Sequence, residues 1–169
     1  MGTLMISALL LSLLPQPAGA SQIVAGSQEE KVFQEITAET NGDAKLQKLA
    51  GFEKQFPRSR VLPNIYLMTI DLYREKNDTD RVIEYAEKVL KIDERNITAM
   101  MILSRSYAIQ RKHLDRAVEF AQKAVDEIGR IRSSPAPSSY TASQWKEYLD
   151  STEASARSIL AYTTMIRGQ

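Results

Sequence analysis

Asp80-Arg81-Val82-Ile83-Glu84-Tyr85-Ala86-Glu87-Lys88-Val89-Leu90 returns 35 residues later as Asp115-Arg116-Ala117-Val118-Glu119-Phe120-Ala121-Gln122-Lys123-Ala124-Val125. The mismatches conserve size or polarity: Val82 for Ala117, Ile83 for Val118, Tyr85 for Phe120, Glu87 for Gln122. Upstream, Tyr66 and Tyr73 match Met100 and Tyr107 at a spacing of 34, so one residue is inserted in the turn near His113. A helical unit recurring at this spacing cannot bury its apolar face alone. It buries that face against the next unit, which predicts a stack of helical hairpins. Such a stack is a scaffold for contacts rather than a catalyst.

Within each copy, apolar residues recur at three and four, the spacing of one helical face. Pro63 opens a helix, where a missing N–H is harmless in the first turn, and Ile65, Tyr66, Thr69, Ile70 and Tyr73 form its inward stripe. Lys76-Asn77-Asp78-Thr79 makes the turn, and Val82, Tyr85, Ala86, Val89 and Leu90 face inward on the return. Asn96 caps the next helix, in which Met100, Leu103, Ser104 and Tyr107 point inward. Ala117, Phe120, Ala121, Ala124 and Val125 return on a helix that continues through Ile128 to about Ile131. Small residues at Ala86, Ala121 and Ala124 let helices approach closely.

Outward from these two units, residues 28–62 read as another hairpin. Val32, Phe33 and Ile36 share one face of its first helix. Asn41-Gly42-Asp43 follows, with Gly42 suited to a left-handed residue and Asp43 to the next N-cap. The second helix, from about Ala44 to Phe56, carries Leu46, Leu49, Phe52, Glu53 and Phe56 in its stripe and stops at Pro57. On the other side, residues 132–141 are rich in Pro and Ser and predict a linker. Residues 142–169 contain neither Gly nor Pro before Gly168, which predicts one long helix from about Ala142 to Arg167. No alternating strand pattern occurs. The expected fold is all-α, a superhelix of stacked hairpins with about seven helices.

The two central units, over residues 63–131, resemble the tetratricopeptide repeat. Its aromatic, small and apolar positions are met by Tyr66, Ile70, Tyr73, Val82, Tyr85, Ala86 and Val89, then by Met100, Leu103, Ser104, Tyr107, Ala117, Phe120, Ala121 and Ala124. Ile70 and Ser104 stand where glycine is usual, and Asp93-Glu94 where Asp-Pro is usual. Phe56-Pro57-Arg58-Ser59 is similar to a junction common in bacterial envelope repeat proteins. Arg157 to Thr164 falls in register as the first helix of a further repeat, and the sequence stops where its second helix would begin.

A net charge of +1 gives no broad field for nucleic acid or an anionic membrane. Arg105, Arg111, Lys112, Arg116, Arg130 and Arg132 are interleaved with acidic residues, which argues against a nucleic-acid partner. With no cysteine, disulfides and thiolate chemistry are excluded. The one histidine, His113, reads as a solvated turn residue with no base–nucleophile or metal constellation around it. Glu84 and Glu87 read as solvated charges on polar helix faces. No catalytic residue, cofactor, metal or small-molecule substrate is expected. Leu4 to Leu14, stopped by Pro15 and Pro17 and followed by Ala18-Gly19-Ala20, reads as a secretory leader cleaved after Ala20. At about 1.5 Å per residue the run spans roughly 16 Å, too short to cross a membrane. Residues 21–27 then read as a disordered link, and the address as periplasmic or secreted with no stable membrane span.

What the tetratricopeptide resemblance implies is a protein-binding face lined by the first helix of each hairpin. By register that face is Asn64, Leu67, Met68, Asp71, Arg74, Thr98, Met101, Ile102, Arg105 and Ile109, with Tyr162 and Met165 added by the last helix. The family's lysine–asparagine clamp for a terminal carboxylate is absent, since Leu67, Asp71 and Ile102 occupy its region. An apolar, methionine-rich floor with Asp71, Arg74 and Arg105 remains, and methionine suits adaptable contacts. The expectation is a non-catalytic scaffold that holds a peptide or helix there. The rival is a subunit that self-associates as a homo-oligomer through its C-terminal repeat edge.

Overall fold

The computed structural model describes residues 24–169, so the expected leader lies outside the described residues. Seven helices are present among the described residues and no strand: α1 Gln28–Ala38, α2 Gly42–Gln55, α3 Leu62–Glu75, α4 Thr79–Ile92, α5 Ile97–Gln110, α6 Leu114–Arg132 and α7 Ala142–Arg167. The architecture is an all-α, tetratricopeptide-like superhelix. Each helix packs on its chain neighbour, and α5 additionally packs on α7.

Helix starts are set by short polar side chains that accept otherwise unpaired N–H groups. Ser27 accepts from Glu30, Asn41 from Ala44, Asp78 from Arg81, and Asn96 from Ala99. Thr141 and Gln144 close a reciprocal capping box at the start of α7. One sequence expectation is corrected here. Gly42 is the first residue of α2, not a left-handed stop, and Asp43 lies inside the first turn. The Asn41 amide oxygen reaches the Ala44 N–H at 2.9 Å, so the cap falls two residues earlier and Gly42 is left in ordinary helical space.

The inserted residue is identifiable as His113. In the first turn Asn77 is left-handed (φ 58°) and the Asp78 N–H bonds the Tyr73 carbonyl. In the second, Arg111 is left-handed (φ 51°) and the Lys112 N–H bonds the Tyr107 carbonyl, a match at a spacing of 34. His113, also left-handed (φ 49°), then adds one residue before α6. Its ring lies edge-on to Tyr107 with centroids 5.4 Å apart, and its side chain makes no cap bond.

Two clusters form the core. The first joins α1 through α5, reaches α6 at Ala117, and is built on Ile36, Phe52, Ile65, Ile70 and Leu103. The second seats α7, with Trp145, Leu149 and Ala156 against Met100, Ala124 and Ile128. Ala117, Ala121 and Ala124 are fully buried, which is why α6 lies close to α5 and α7. Arg132 bonds Asp150 and Glu153, both at 2.7 Å, while Arg167 faces Asp115 at 3.7 Å, so α7 runs antiparallel to α6. Arg111 meets Gln169 at 3.2 Å, setting the ends of α5 and α7 side by side. That places α7 as a first helix, in line with α3 and α5.

Candidate functional site

The first helices α3, α5 and α7 carry the residues that register assigns to the binding face. Leu67, Met68 and Ile102 are half-buried on the flank of the first core cluster, and Met101 on the flank of the second. Asn64 and Thr98, near the starts of α3 and α5, are half-buried as well. Ile109, Tyr162 and Met165 are the open part, with 57%, 40% and 54% of their surface exposed. Large apolar side chains this exposed are few among the described residues. That three of the five lie near the C-terminal ends of the adjacent helices α5 and α7 marks a patch rather than scatter.

Charge on this face is sparse. Asp71 and Arg74 face each other at 3.6 Å, both half-exposed. Burial pushes the Asp71 carboxyl above the ordinary aspartate range, with Arg74 pulling it back in part. Arg105, 34 residues on from Asp71, is exposed and forms no ion pair or side-chain hydrogen bond among the described residues. The arrangement offers exposed apolar side chains and one cation, Arg105, without a partner among the described residues. Among the described residues, no three His, Asp or Glu side chains converge on a metal position, and no helix is long and apolar enough to cross a membrane.

Register did not single out the polar links between hairpins. The Tyr66 hydroxyl donates to Glu53 at 3.0 Å, and Lys88 reaches the same carboxylate at 3.1 Å while lying over the Tyr85 ring. Burial and the Glu53 hydrogen bond push the Tyr66 phenol well above the ordinary tyrosine range. In the next interface Tyr107 donates to Glu87 at 2.8 Å, Arg116 lies over the Tyr107 ring, and the phenol is pushed up to about 12, chiefly by burial. Glu87 is thus an inter-hairpin acceptor and not the solvated surface charge its place on a polar face suggested. The sequence signal for such links was Glu53, a carboxylate set inside the apolar stripe of α2.

No protein-family model matches the chain. Over 72 residues it is 36% identical to the tetratricopeptide repeat and J domain-containing co-chaperone DNJ1 of Mycosarcoma maydis. The match takes in 43% of this chain and 12% of that protein, so the chain spans a small part of its relative's length. Sequence similarity and helical architecture agree on a tetratricopeptide-like protein.

Proposed function

We propose that this protein is a non-catalytic scaffold whose first-helix face, on α3, α5 and α7, holds an apolar helix or extended segment of another protein. The observation that carries the reading is the exposed patch of Ile109, Tyr162 and Met165 beside the unpaired Arg105. An apolar segment with a carboxylate side chain would cover the first three and pair the fourth. Similarity to a co-chaperone directs the choice of probe toward non-native polypeptide. With a reduced, carboxymethylated protein as ligand, Ile109→Glu combined with Met165→Glu is expected to weaken binding at least tenfold, with helicity unchanged. Unchanged affinity would remove the patch from the site. Met101→Glu is a harsher test, because Met101 also supports the second core cluster.

Export belongs to the same proposal and is supported by the apolar run Leu4–Leu14 and the Ala18-Gly19-Ala20 that follows it. N-terminal sequencing of exported material is expected to begin at Ser21, and a cytosolic protein retaining Met1 would overturn that address. A second reading is self-association through α7, favoured by the exposure of Tyr162 and Met165 near its end. Sedimentation equilibrium decides it, since a strict monomer at micromolar concentration excludes the reading.

A further inference from the structure

The clefts between successive hairpins are built from matching positions and filled differently. In the first, the Tyr66 ring lies 5.7 Å from the Tyr85 ring, and Lys88 Nζ stands 5.5 Å from the centre of Tyr66. The hydroxyl of that enclosed ring is given to Glu53. At the repeat spacing Tyr66 becomes Met100, Tyr85 becomes Phe120 and Lys88 becomes Lys123. Methionine supplies neither ring nor hydroxyl. Lys123 turns to Glu119 on its own helix, at 2.6 Å, and sits 6.0 Å from the Phe120 ring. A cleft of about 390 Å³ is left between α4, α5 and α6, with Leu90, Met100, Leu103 and Phe120 as its apolar floor. On its rim, Lys91 and Glu94 have no side-chain partner among the described residues.

We infer that this cleft is a docking site for an aromatic side chain, tyrosine above all, presented by a segment of a partner protein. The chain's own Tyr66 shows what such walls accept: a ring between an aromatic and a lysine, with its hydroxyl given to a carboxylate. The second cleft keeps the aromatic wall in Phe120, with Arg116 5.5 Å from its ring, and the lysine in Lys123; Glu87 on its wall is taken by Tyr107, and Glu94 on its rim is the unpaired carboxylate. Its volume falls within the roughly 300–1,000 Å³ of small-molecule sites, ample for one ring and the backbone beside it. Charge is complementary as well. A tyrosine hydroxyl can donate to Glu94, and a carboxylate next to that tyrosine can pair with Lys91. The cleft is framed by the second helices α4 and α6, so it is separate from the face proposed above and stands or falls independently of it.

The test is a backbone NMR titration of the whole chain with N-acetyltyrosine amide, using the phenylalanine and leucine amides as controls. Saturable shifts are expected at Leu90, Glu94 and Phe120, with the tyrosine probe at least threefold tighter than the phenylalanine one and the leucine probe weaker still. Met100→Tyr supplies the missing ring in cis and is expected to abolish the response. Glu94→Gln, a surface change that leaves the core alone, should bring the tyrosine probe down to the level of the phenylalanine one. Tyr66→Met should open a second responsive site at Tyr85 and Lys88. Shifts elsewhere only, equal affinity for all three probes, or wild-type binding by a folded Met100→Tyr would each overturn the proposal.

Discussion

Tyr66 and Tyr107 perform one task at opposite ends of their helices. Both are buried, both give a hydroxyl to a glutamate on the preceding second helix, and both lie near a cation from the second helix of their own hairpin. Tyr66 stands near the start of α3 and Tyr107 near the end of α5, so the repeat conserves a device without conserving its level. The two links also differ in strength. Glu53 receives Tyr66 at 3.0 Å and Lys88 at 3.1 Å, whereas Glu87 receives Tyr107 at 2.8 Å and Arg116 only at 3.5 Å. The difference teaches that the first interface is closed by its polar link while the second leaves a cleft beside it.

Truncation should show that both links carry weight. Tyr66→Ala and Tyr107→Ala are each expected to cost about 3–4 kcal/mol, in the range for emptying an aromatic site. Tyr66 loses Tyr85, Lys88 and Glu53, and Tyr107 loses Glu87, Arg116, Phe120 and His113. Denaturant midpoints measure both, and a loss below about 1 kcal/mol at either would break the comparison.

Alkaline pH separates the two links without removing a ring. An ordinary tyrosine ionises near pH 10, and Tyr107 in the folded chain is pushed up to about 12. Raising a group's folded-state value favours the folded state fully below its unfolded value, and the advantage is lost as pH rises through the folded value. Stability should therefore fall between about pH 10 and pH 12. Tyr107→Phe should flatten part of that fall, and Tyr66→Phe should flatten a part extending to higher pH, because Tyr66 is pushed further. Thermal melts across this window check it, and indifference to both substitutions would break the link between burial and ionisation.

Much of this fold could be read because its signals are local. Apolar spacing, Pro63, Asn96 and the doubled 80–125 stretch are properties of neighbouring residues, and the helices they imply are present. Gly42 was misread because glycine and asparagine both stop and start helices, and only the Asn41 bond to Ala44 decides which. The polar links were not legible from helical spacing alone. Glu87 lies on a polar face by sequence, and its bond to Tyr107 depends on where α5 crosses α4. For the candidate binding face, register could name Ile109, Tyr162 and Met165, but it could not separate them from the half-buried Met101 and Ile102, since exposure depends on how α7 seats against α5.

The two turns allow a smaller test of the same kind. Asp78 caps α4 through its bond to Arg81, whereas His113 stands before α6 without one. Asp78→Ala is expected to cost about 1 kcal/mol, the usual value of an N-cap. His113→Gly should be neutral or slightly stabilising, because a left-handed residue without a Cβ is relaxed. Equal losses at both would mean that the His113 ring contact with Tyr107 substitutes for a cap.

The smallest effect concerns Ile70 and Ser104, which hold matching places at the spacing of 34 and are both fully buried. Ile70 fills its place with carbon. Ser104 brings a hydroxyl that finds no hydrogen-bond partner, unlike nearby Thr69, which donates to the Ile65 carbonyl at 2.8 Å. An unpaired buried polar atom costs its desolvation without return. Ser104→Ala deletes that atom and little volume, so it should stabilise the protein by about 0.5 kcal/mol, seen as a rise in Tm of about 2 °C. A fall in Tm would show that the hydroxyl is bonded in solution, through the preceding turn of α5 as Thr69 is in α3.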